Sequence, residues 1–230
     1  MKCFKNKKEV NERPSVKDEV QTKVPDKKYP LRLFYPDAHF FPELPTLSVR
    51  YNWEGKLPEI FVVHFTAGWQ NQKPIDFMKS FIKRGLCTYF MDENGQVYQQ
   101  HHGDTGGGHV GTSKWNGRNT VSSFAGGIEI ACGGKLKKHS DGTYRTWFNK
   151  KISETSRRKV GSEYREPGYY EVYTAAQETE LAKFLAWLLR NGVKEIVGHD
   201  DVSPGRKNDP GGSLSLPLNE FVRQRVKPLV

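Results

Sequence analysis

Residues Ile60–Phe65 form a nearly unbroken apolar run, and this run constrains the fold more than any other feature of the chain. A strand that is apolar on both faces must be covered on both faces, so the run predicts an interior strand of a layered sheet. Its one polar residue is His64. A second run of the same kind, Ala125–Cys132, carries Glu129 and predicts another interior strand.

Helices and strands alternate along the rest of the chain. Thr174 and Gln177 form a capping box, and the apolar residues after it repeat at helical spacing, at Leu181, Phe184, Leu185 and Leu188. The other predicted elements are a helix over 74–84, strands Cys87–Met91 and Gln96–Gln99 on either side of an Asn-Gly turn, a strand Glu195–Gly198, and a helix from about Pro217 to Val226. The alternation predicts an α/β fold: a single domain with a central mixed β-sheet flanked by helices, plus an N-terminal extension.

Composition divides the chain into three parts. We expect residues 1–30 to form a charged N-terminal arm, residues 31–57 an extended segment packed on the domain, and residues 58–230 the domain itself. Residues at about 133–172 are a basic insertion rich in aromatic side chains. No apolar run reaches the roughly 18 residues of a membrane span, and the charged start lacks an apolar leader. These features predict a cytoplasmic protein with no transmembrane segment.

Net charge indicates which classes of partner the protein can bind, and cysteine content excludes one class of fold. The chain has 36 Lys and Arg against 26 Asp and Glu, and its net charge of +10 favours a polyanionic partner such as nucleic acid, an acidic wall polymer or anionic lipid. Basic residues beside aromatic rings suit single-stranded nucleic acid and equally sugar rings on an anionic polymer. No nucleic-acid-binding motif accompanies them, so no specific nucleic acid is expected. Three cysteines exclude a disulfide scaffold.

Three residues are candidate ligands of a metal centre, and a lysine accompanies them. His64 and His199 each stand at the end of a predicted strand, and a loop stiffened by two prolines brings Lys207 and Asp209 into the neighbourhood of His199. Two imidazoles and one carboxylate suit Zn²⁺, with the fourth position left to water in a catalytic site. The alternative is structural: His199 and Asp209 cap loops, and His64 is a core histidine with satisfied hydrogen bonds.

Two further features have candidate roles. Glu129 lies mid-strand among apolar residues, and a buried carboxylate must face a lysine, a metal or a water-filled cleft, where it can act as a general base. A structural ion pair is the alternative. Residues Gly106–Gly111, termed here the glycine loop, match G-x-G-x-x-G, but the turn-rich residues after the loop open no helix, so the motif does not predict a dinucleotide site. We expect this region to present His109 and Trp115 to a substrate.

Five segments, in chain order, carry a resemblance to a known family. They are VVHFTAG, GGHVGTSKWNGR, FAGGIEI, YTAAQ and VGHDDVSPGRKNDPGG. They resemble the zinc-dependent N-acetylmuramoyl-L-alanine amidases of type 2, which share a fold with peptidoglycan recognition proteins and amidase-type phage lysozymes. The resemblance runs from about residue 58 to residue 226.

The resemblance implies a role for each matching residue. Glu129 is similar to the acidic residue of the cytoplasmic muropeptide-recycling amidases, and Lys207 to the lysine that stabilises the oxyanion. His109 is similar to a family histidine that lies near the substrate and is not a ligand. The residues that match the family's zinc ligands are His64, His199 and Asp209.

One position departs from part of the family. Amidase-type phage lysozymes carry a catalytic tyrosine just before a His-Phe pair in the first strand of the hairpin. Here Cys87 occupies that position, and Thr88 and Tyr89 replace the pair. At a period of two, Tyr89 falls on the same face as Cys87, so we expect it to contact substrate without a catalytic role.

The resemblance therefore implies zinc-dependent hydrolysis of the amide between N-acetylmuramic acid and L-alanine in peptidoglycan. We expect a monomeric, wall-degrading lysin of the endolysin type that is released to the cell wall. Two alternatives stay open: a cytoplasmic amidase that recycles muropeptides, and a non-catalytic peptidoglycan-binding module. Related binding modules usually lack the third metal ligand, so the presence of Asp209 together with Lys207 favours the enzyme.

Overall fold

The computed structural model describes residues 33–40, 50–68, 76, 87–99 and 101–230. The predicted charged arm lies outside these residues, as does the predicted helix over 74–84 apart from residue 76. The strands of the described part are β1 (His39–Phe40), β2 (Tyr51–Asn52), β3 (Ile60–Phe65), β4 (Tyr89–Met91), β5 (Val97–Gln99), β6 (Thr105–Gly106), β7 (Lys114–Trp115), β8 (Arg118–Asn119), β9 (Ala125–Ile130), β10 (Lys135–Lys138), β11 (Tyr144–Arg145), β12 (Arg157–Val160), β13 (Gly168–Glu171) and β14 (Glu195–Gly198).

Six of the described strands form a central mixed sheet in the order β1-β5-β4-β9-β3-β14. β4 and β5 are antiparallel, whereas β3 pairs in parallel with both β9 and β14. Every residue of β3 and β9 is buried. The mixed sheet and the two interior strands confirm the predicted fold class, although β9 ends at Ile130 rather than at Cys132.

The two faces of the central sheet are covered differently. On one face, Phe61 and Val63 of β3 belong to the main hydrophobic core. On the other face, Ile60 and Val62 pack in a smaller cluster that includes Val110 of the glycine loop. Because side chains alternate along a strand, His64 points to the same side as Ile60 and Val62. The glycine loop and His64 therefore share one face of the sheet.

Helix α1 (Ala175–Arg190) begins at the predicted capping box and covers the main core. Thr174 Oγ1 accepts a hydrogen bond from the Gln177 backbone N–H at 3.1 Å, and Gln177 Oε1 accepts one from the Thr174 N–H at 2.9 Å. The residues predicted to face inward are all buried: Leu181, Phe184, Leu185 and Leu188. The predicted helix is confirmed.

We expect Thr174→Ala to lower the free energy of unfolding by about 1 kcal/mol, because it leaves the Gln177 N–H without its capping acceptor. Thr174 Oγ1 also donates to the Glu93 carbonyl at 2.9 Å, and that bond is lost as well. Urea unfolding monitored by circular dichroism measures the change as a lower midpoint with an unchanged slope. Thr174→Ser retains the hydroxyl and serves as the control. Equal destabilisation by both variants would show that the cap is not the cause.

The C-terminal helix differs from the prediction. After the short helix α2 (His199–Val202), helix α3 covers only Leu218–Phe221; the chain then continues as a π-helix over Val222–Val226 and ends in a 3₁₀ turn. Hydrogen bonds from i to i+5 align residues five apart, and Phe221 and Val226, which have this spacing, are both fully buried. No helix in the described ranges has the length and apolar character needed to cross a membrane.

The basic insertion and the N-terminal segment each pack on this framework. Within the insertion, the described strands form an antiparallel sheet of their own, in the order β11-β10-β13-β12. The rings of Tyr144 and Tyr169 lie 4.0 Å apart between centroids on this sheet. Near the N-terminus, Tyr35 is buried in the main core, and its hydroxyl donates to Glu180 of α1 at 2.5 Å.

Candidate metal centre

The carboxyl ends of β3 and β14 bring two histidines together. The strands are parallel neighbours, with Gly198 in register with Val63. His64 follows Val63 on β3, and His199 follows Gly198 as the first residue of α2. The sequence prediction placed His199 at the strand end, and the structure adds that it opens a short helix. The loop after α2 returns Asp209 to the same place, where the Asp209 carbonyl accepts from the Asp200 N–H at 2.9 Å.

Three side-chain atoms form a compact triangle at this point. His64 Nδ1 lies 2.8 Å from His199 Nδ1 and 3.0 Å from Asp209 Oδ2, and His199 Nδ1 lies 2.9 Å from Asp209 Oδ2. The three residues are 1%, 3% and 6% exposed, respectively. The structure therefore gathers, in a largely buried position, the residue set that the sequence selected as metal ligands.

The chemistry of the triangle fits a divalent cation. Burial, together with the charge of His199, lowers the pKa of His64 to about 4. Burial opposes ionisation of Asp209, but the close contacts of its carboxylate with His199 and His64 hold the pKa of that group below its usual range. At neutral pH the Asp209 carboxylate lies beside the neutral imidazole of His64, and one divalent cation would satisfy the electron-pair donors of all three residues together. Two imidazole nitrogens and one carboxylate oxygen are a ligand set typical of zinc.

A second group, His64, Cys87 and His109, also brings potential ligand atoms within 4.8 Å of one another. The thiolate is the form of cysteine that binds metals. Burial, followed by the negative charges of Glu129 and Asp209, raises the pKa of the Cys87 thiol well above its usual value. The group with Asp209 is therefore the better candidate for a metal.

Glu129 lies next to the triangle, and the charge of Lys207 acts on it. Glu129 of β9 is in register with His64 of β3, and residues in register on paired strands project on the same face about 5 Å apart. Its side chain is buried with the residue 9% exposed. The positive charge of Lys207 contributes to the lowering of the His64 pKa, after burial and the charge of His199. A carboxylate therefore lies beside the candidate metal centre, and the charge of a lysine acts on the centre.

A family model described as N-acetylmuramoyl-L-alanine amidase matches residues 54–212. The matched region contains the whole triangle together with Glu129 and Lys207. The chain belongs to this amidase family. Family membership supports an amidase activity on peptidoglycan. Comparison with curated protein sequences gives no significant match.

Solved amidase structures share the fold. The N-acetylmuramoyl-L-alanine amidase LysC from Clostridium intestinale superposes with a TM-score of 0.52 at 16% identity, over 82% of this chain and 97% of that chain. The endolysin amidase LysCS from the same organism gives 0.50 at 16% identity, over 83% and 96%. A selenomethionine derivative of AmpD gives 0.51 at 20% identity, over 86% and 97%. These likenesses show the fold alone, and they agree with the predicted α/β class.

His109, expected near the substrate, lies buried against the triangle in this amidase. Its Nδ1 is 2.9 Å from His64 Nε2, and its Nε2 is 2.9 Å from the Ala125 carbonyl oxygen. Both ring nitrogens are thus engaged within the protein, and the residue is 7% exposed. Its contacts are those of a residue that supports a ligand.

The structure corrects the expectation that Tyr89 contacts substrate. Tyr89 is 2% exposed, and its ring packs at 4.9 Å from that of Phe184 in the main core. The assumed alternation fails because β4 begins only at Tyr89, so Cys87 precedes the regular strand. The Trp115 indole donates to Glu195 Oε2 at 2.9 Å, and a contact of Trp115 with substrate stays a prediction.

The sequence analysis did not predict two groups at the site, a backbone carbonyl and an arginine side chain. The Val110 carbonyl oxygen lies 3.1 Å from His199 Nε2. Arg206 Nη2 donates to the same carbonyl and to the Thr112 carbonyl. A backbone carbonyl leaves no signature in side-chain types, and Arg206 reads in the sequence as one more basic loop residue. Only the tertiary fold reveals either contact.

Proposed function

We propose that this protein is a zinc-dependent amidase that hydrolyses the amide between N-acetylmuramic acid and L-alanine in peptidoglycan. The observation that carries the proposal is the buried triangle of His64, His199 and Asp209 with Glu129 in register beside it, in a chain of the amidase family. A binding module needs no metal triangle and no adjacent carboxylate. The arrangement therefore favours catalysis.

Zinc would be held by the Nδ1 atoms of His64 and His199 and by Asp209 Oδ2. When bound, zinc supplies Lewis-acid chemistry: it lowers the pKa of water towards about 7 and polarises a carbonyl group. The protein contributes a preformed and buried set of ligands for it. Because these atoms are already within 3.0 Å of one another, little rearrangement is needed on binding.

In this mechanism Glu129 transfers the proton, and Lys207 stabilises the developing negative charge. Glu129 accepts a proton from the water that attacks the amide carbonyl, and then delivers it to the nitrogen of the leaving L-alanine. The ammonium group of Lys207 stabilises the negative charge that develops on the carbonyl oxygen. The carbon–nitrogen bond breaks, leaving a carboxyl group on the lactyl ether of the sugar and a free amine on the peptide.

Features around the site support a polymeric wall substrate and hence a lysin. Trp147 of the basic insertion is 70% exposed, and its indole donates to the carbonyl of Ala67, three residues beyond His64. An exposed indole close to the centre can stack on a sugar ring, and the net charge of +10 favours an acidic envelope. LysCS, which shares the fold, is an endolysin.

A muropeptide-recycling amidase is the second candidate. The observation that favours it is the combination of Asp209 in the triangle with Glu129 beside it, which resembles the recycling subgroup more than the tyrosine-containing phage enzymes. Such an enzyme acts on soluble anhydro-muropeptides rather than on the intact wall. The two candidates share their chemistry and differ in the size of the substrate.

Mass spectrometry of products from intact sacculi and from soluble anhydro-muropeptides tests the proposal. We expect peptides with a free L-alanine amine from both, with a higher kcat/KM on sacculi. Trp147→Ala should lower kcat/KM on sacculi about tenfold, since losing one well-packed aromatic contact costs on the order of 1.4 kcal/mol. Activity of the variant on the soluble substrate is the control and should be unchanged.

Two other outcomes of this experiment would contradict part or all of the proposed function. Cleavage of soluble muropeptides alone would identify a recycling enzyme and overturn the lysin. Binding of sacculi by the zinc-loaded protein with no new amine in either digest would identify a binding module and overturn the amidase.

A further inference from the structure

We propose that the glycine loop sets the ring tautomers of both histidines of the triangle, with His109 as the positioning residue for His64 and the Val110 carbonyl as the partner of His199. The inference deepens the proposed function and rests on it only in taking the triangle as the metal site. The loop lies between β6 and β7, and both His109 and Val110 are buried beside the site.

The tautomer of His64 is set by a chain of two hydrogen bonds that begins at the Ala125 carbonyl and passes through His109. The Ala125 carbonyl oxygen accepts only, so the proton of the neutral His109 ring must lie on Nε2, 2.9 Å away. His109 Nδ1 then carries a lone pair and accepts from His64 Nε2–H at 2.9 Å. With its proton on Nε2, His64 directs the lone pair of Nδ1 into the triangle.

The same reasoning applies to His199. The Val110 carbonyl accepts from His199 Nε2 at 3.1 Å, which leaves a lone pair on Nδ1, the atom that faces Asp209. Two adjacent residues of one loop thus fix both rings. A hydrogen bond to the far nitrogen of a ligating histidine sets which nitrogen is free for the metal.

The loop is held from the other side by Arg206. Arg206 Nη2 donates to the Val110 carbonyl, to the Thr112 carbonyl at 2.8 Å and to Ser203 Oγ at 2.7 Å. Ser203 Oγ in turn donates to the Thr112 carbonyl at 2.9 Å. Because Ser203 and Arg206 lie between His199 and Asp209 in sequence, the segment that supplies two ligands also fixes the loop that orients them.

Gly127 of β9 makes room for the His109 ring. A Cβ atom at this position would lie 2.7 Å from His109 Nδ1 and 2.8 Å from Cys87 Sγ, closer than such atoms pack. Any side chain at Gly127 would therefore displace the nitrogen that accepts from His64. The glycine in the strand and the histidine in the loop form a matched pair.

Heteronuclear NMR of the imidazole nitrogens in the zinc-loaded wild-type protein shows which ring nitrogen of each histidine carries the proton and which one faces the metal. We expect His64 and His199 to carry their protons on Nε2. A second measurement, chelator competition, gives the zinc dissociation constant of the variants. His109→Leu fills the site without a hydrogen bond and should weaken zinc binding by about 10- to 100-fold. His109→Gln keeps an acceptor for His64 and a donor for Ala125, so it should retain most of the affinity and the His64 tautomer.

Three results would overturn the inference: a proton on Nδ1 of His64 in the wild-type protein, unchanged zinc affinity in His109→Leu, or equal losses in His109→Leu and His109→Gln. If a variant does not fold, the NMR spectrum of the wild-type protein still shows which nitrogen of His64 and of His199 carries the proton. All of these readouts are made without substrate. Correct tautomers with no hydrolysis would therefore count against the proposed function and leave this inference intact.

Discussion

Asp209→Asn should weaken zinc binding on the order of 10²–10³-fold and abolish hydrolysis at limiting zinc. Asp209 Oδ2 lies 3.0 Å from His64 Nδ1 and 2.9 Å from His199 Nδ1, and it brings the only negative charge of the triangle. If three ligands share about 10 kcal/mol of binding free energy, the loss of one removes roughly 3 kcal/mol. Asparagine has nearly the same shape as aspartate. The loss of zinc affinity therefore measures the contribution of the carboxylate's charge and of its strength as a ligand.

Chelator competition measures the affinity, and thermal unfolding with and without zinc gives an independent readout. A ligand that binds only the folded state raises the melting temperature, by an amount that grows with its concentration relative to the dissociation constant. We expect the wild-type protein to show this shift and Asp209→Asn to lose most of it at the same zinc concentration.

Asp201→Asn is the matched control. Asp201 lies on α2, two residues beyond His199, where it pairs with Arg165 at 2.8 Å and its Oδ2 accepts from the Gly198 N–H at 2.8 Å. An asparagine there keeps an acceptor for Gly198 and removes one negative charge near the site. Zinc affinity and activity should stay near wild type. Equal losses in the two variants would mean that the site responds to net charge and not to Asp209 as a ligand.

The parts of the fold that the sequence predicted are those set by local patterns. The apolar run around His64 becomes β3, buried throughout, and the capping box at Thr174 and Gln177 begins α1. Local patterns alone do not predict that His64 and His199 converge. They do so because their two strands are parallel neighbours, which end at the same edge of a sheet. Pairing of β3 with β14 supplies this arrangement.

The parts that the sequence missed depend on where regular structure begins and on backbone groups. Tyr89 was assigned a face by counting from Cys87, but the strand starts at Tyr89 itself. The partner of His199 is the Val110 carbonyl, and every residue type carries a carbonyl.

Glu129→Gln should leave zinc bound while lowering kcat on the order of 10²–10⁴-fold, the usual contribution of a general acid–base group. The amide has nearly the size of the carboxylate and cannot take a proton from water at neutral pH. Because Glu129 is in register with His64, its carboxylate lies beside the triangle on the same face of the sheet. Steady-state kinetics on a soluble muropeptide, with zinc content measured on the same sample, separates the two effects.

Glu195→Gln is the control for this variant, since Glu195 begins β14 at the other end of the sheet and an amide oxygen can still accept from Trp115. Its kcat should match that of the wild type. Each alternative role of Glu129 gives a different pattern. A structural ion pair predicts a lower melting temperature with little change in kcat per folded molecule, and a metal ligand predicts loss of zinc. Only a proton-transfer role combines full zinc occupancy, an intact fold and a kcat reduced by orders of magnitude.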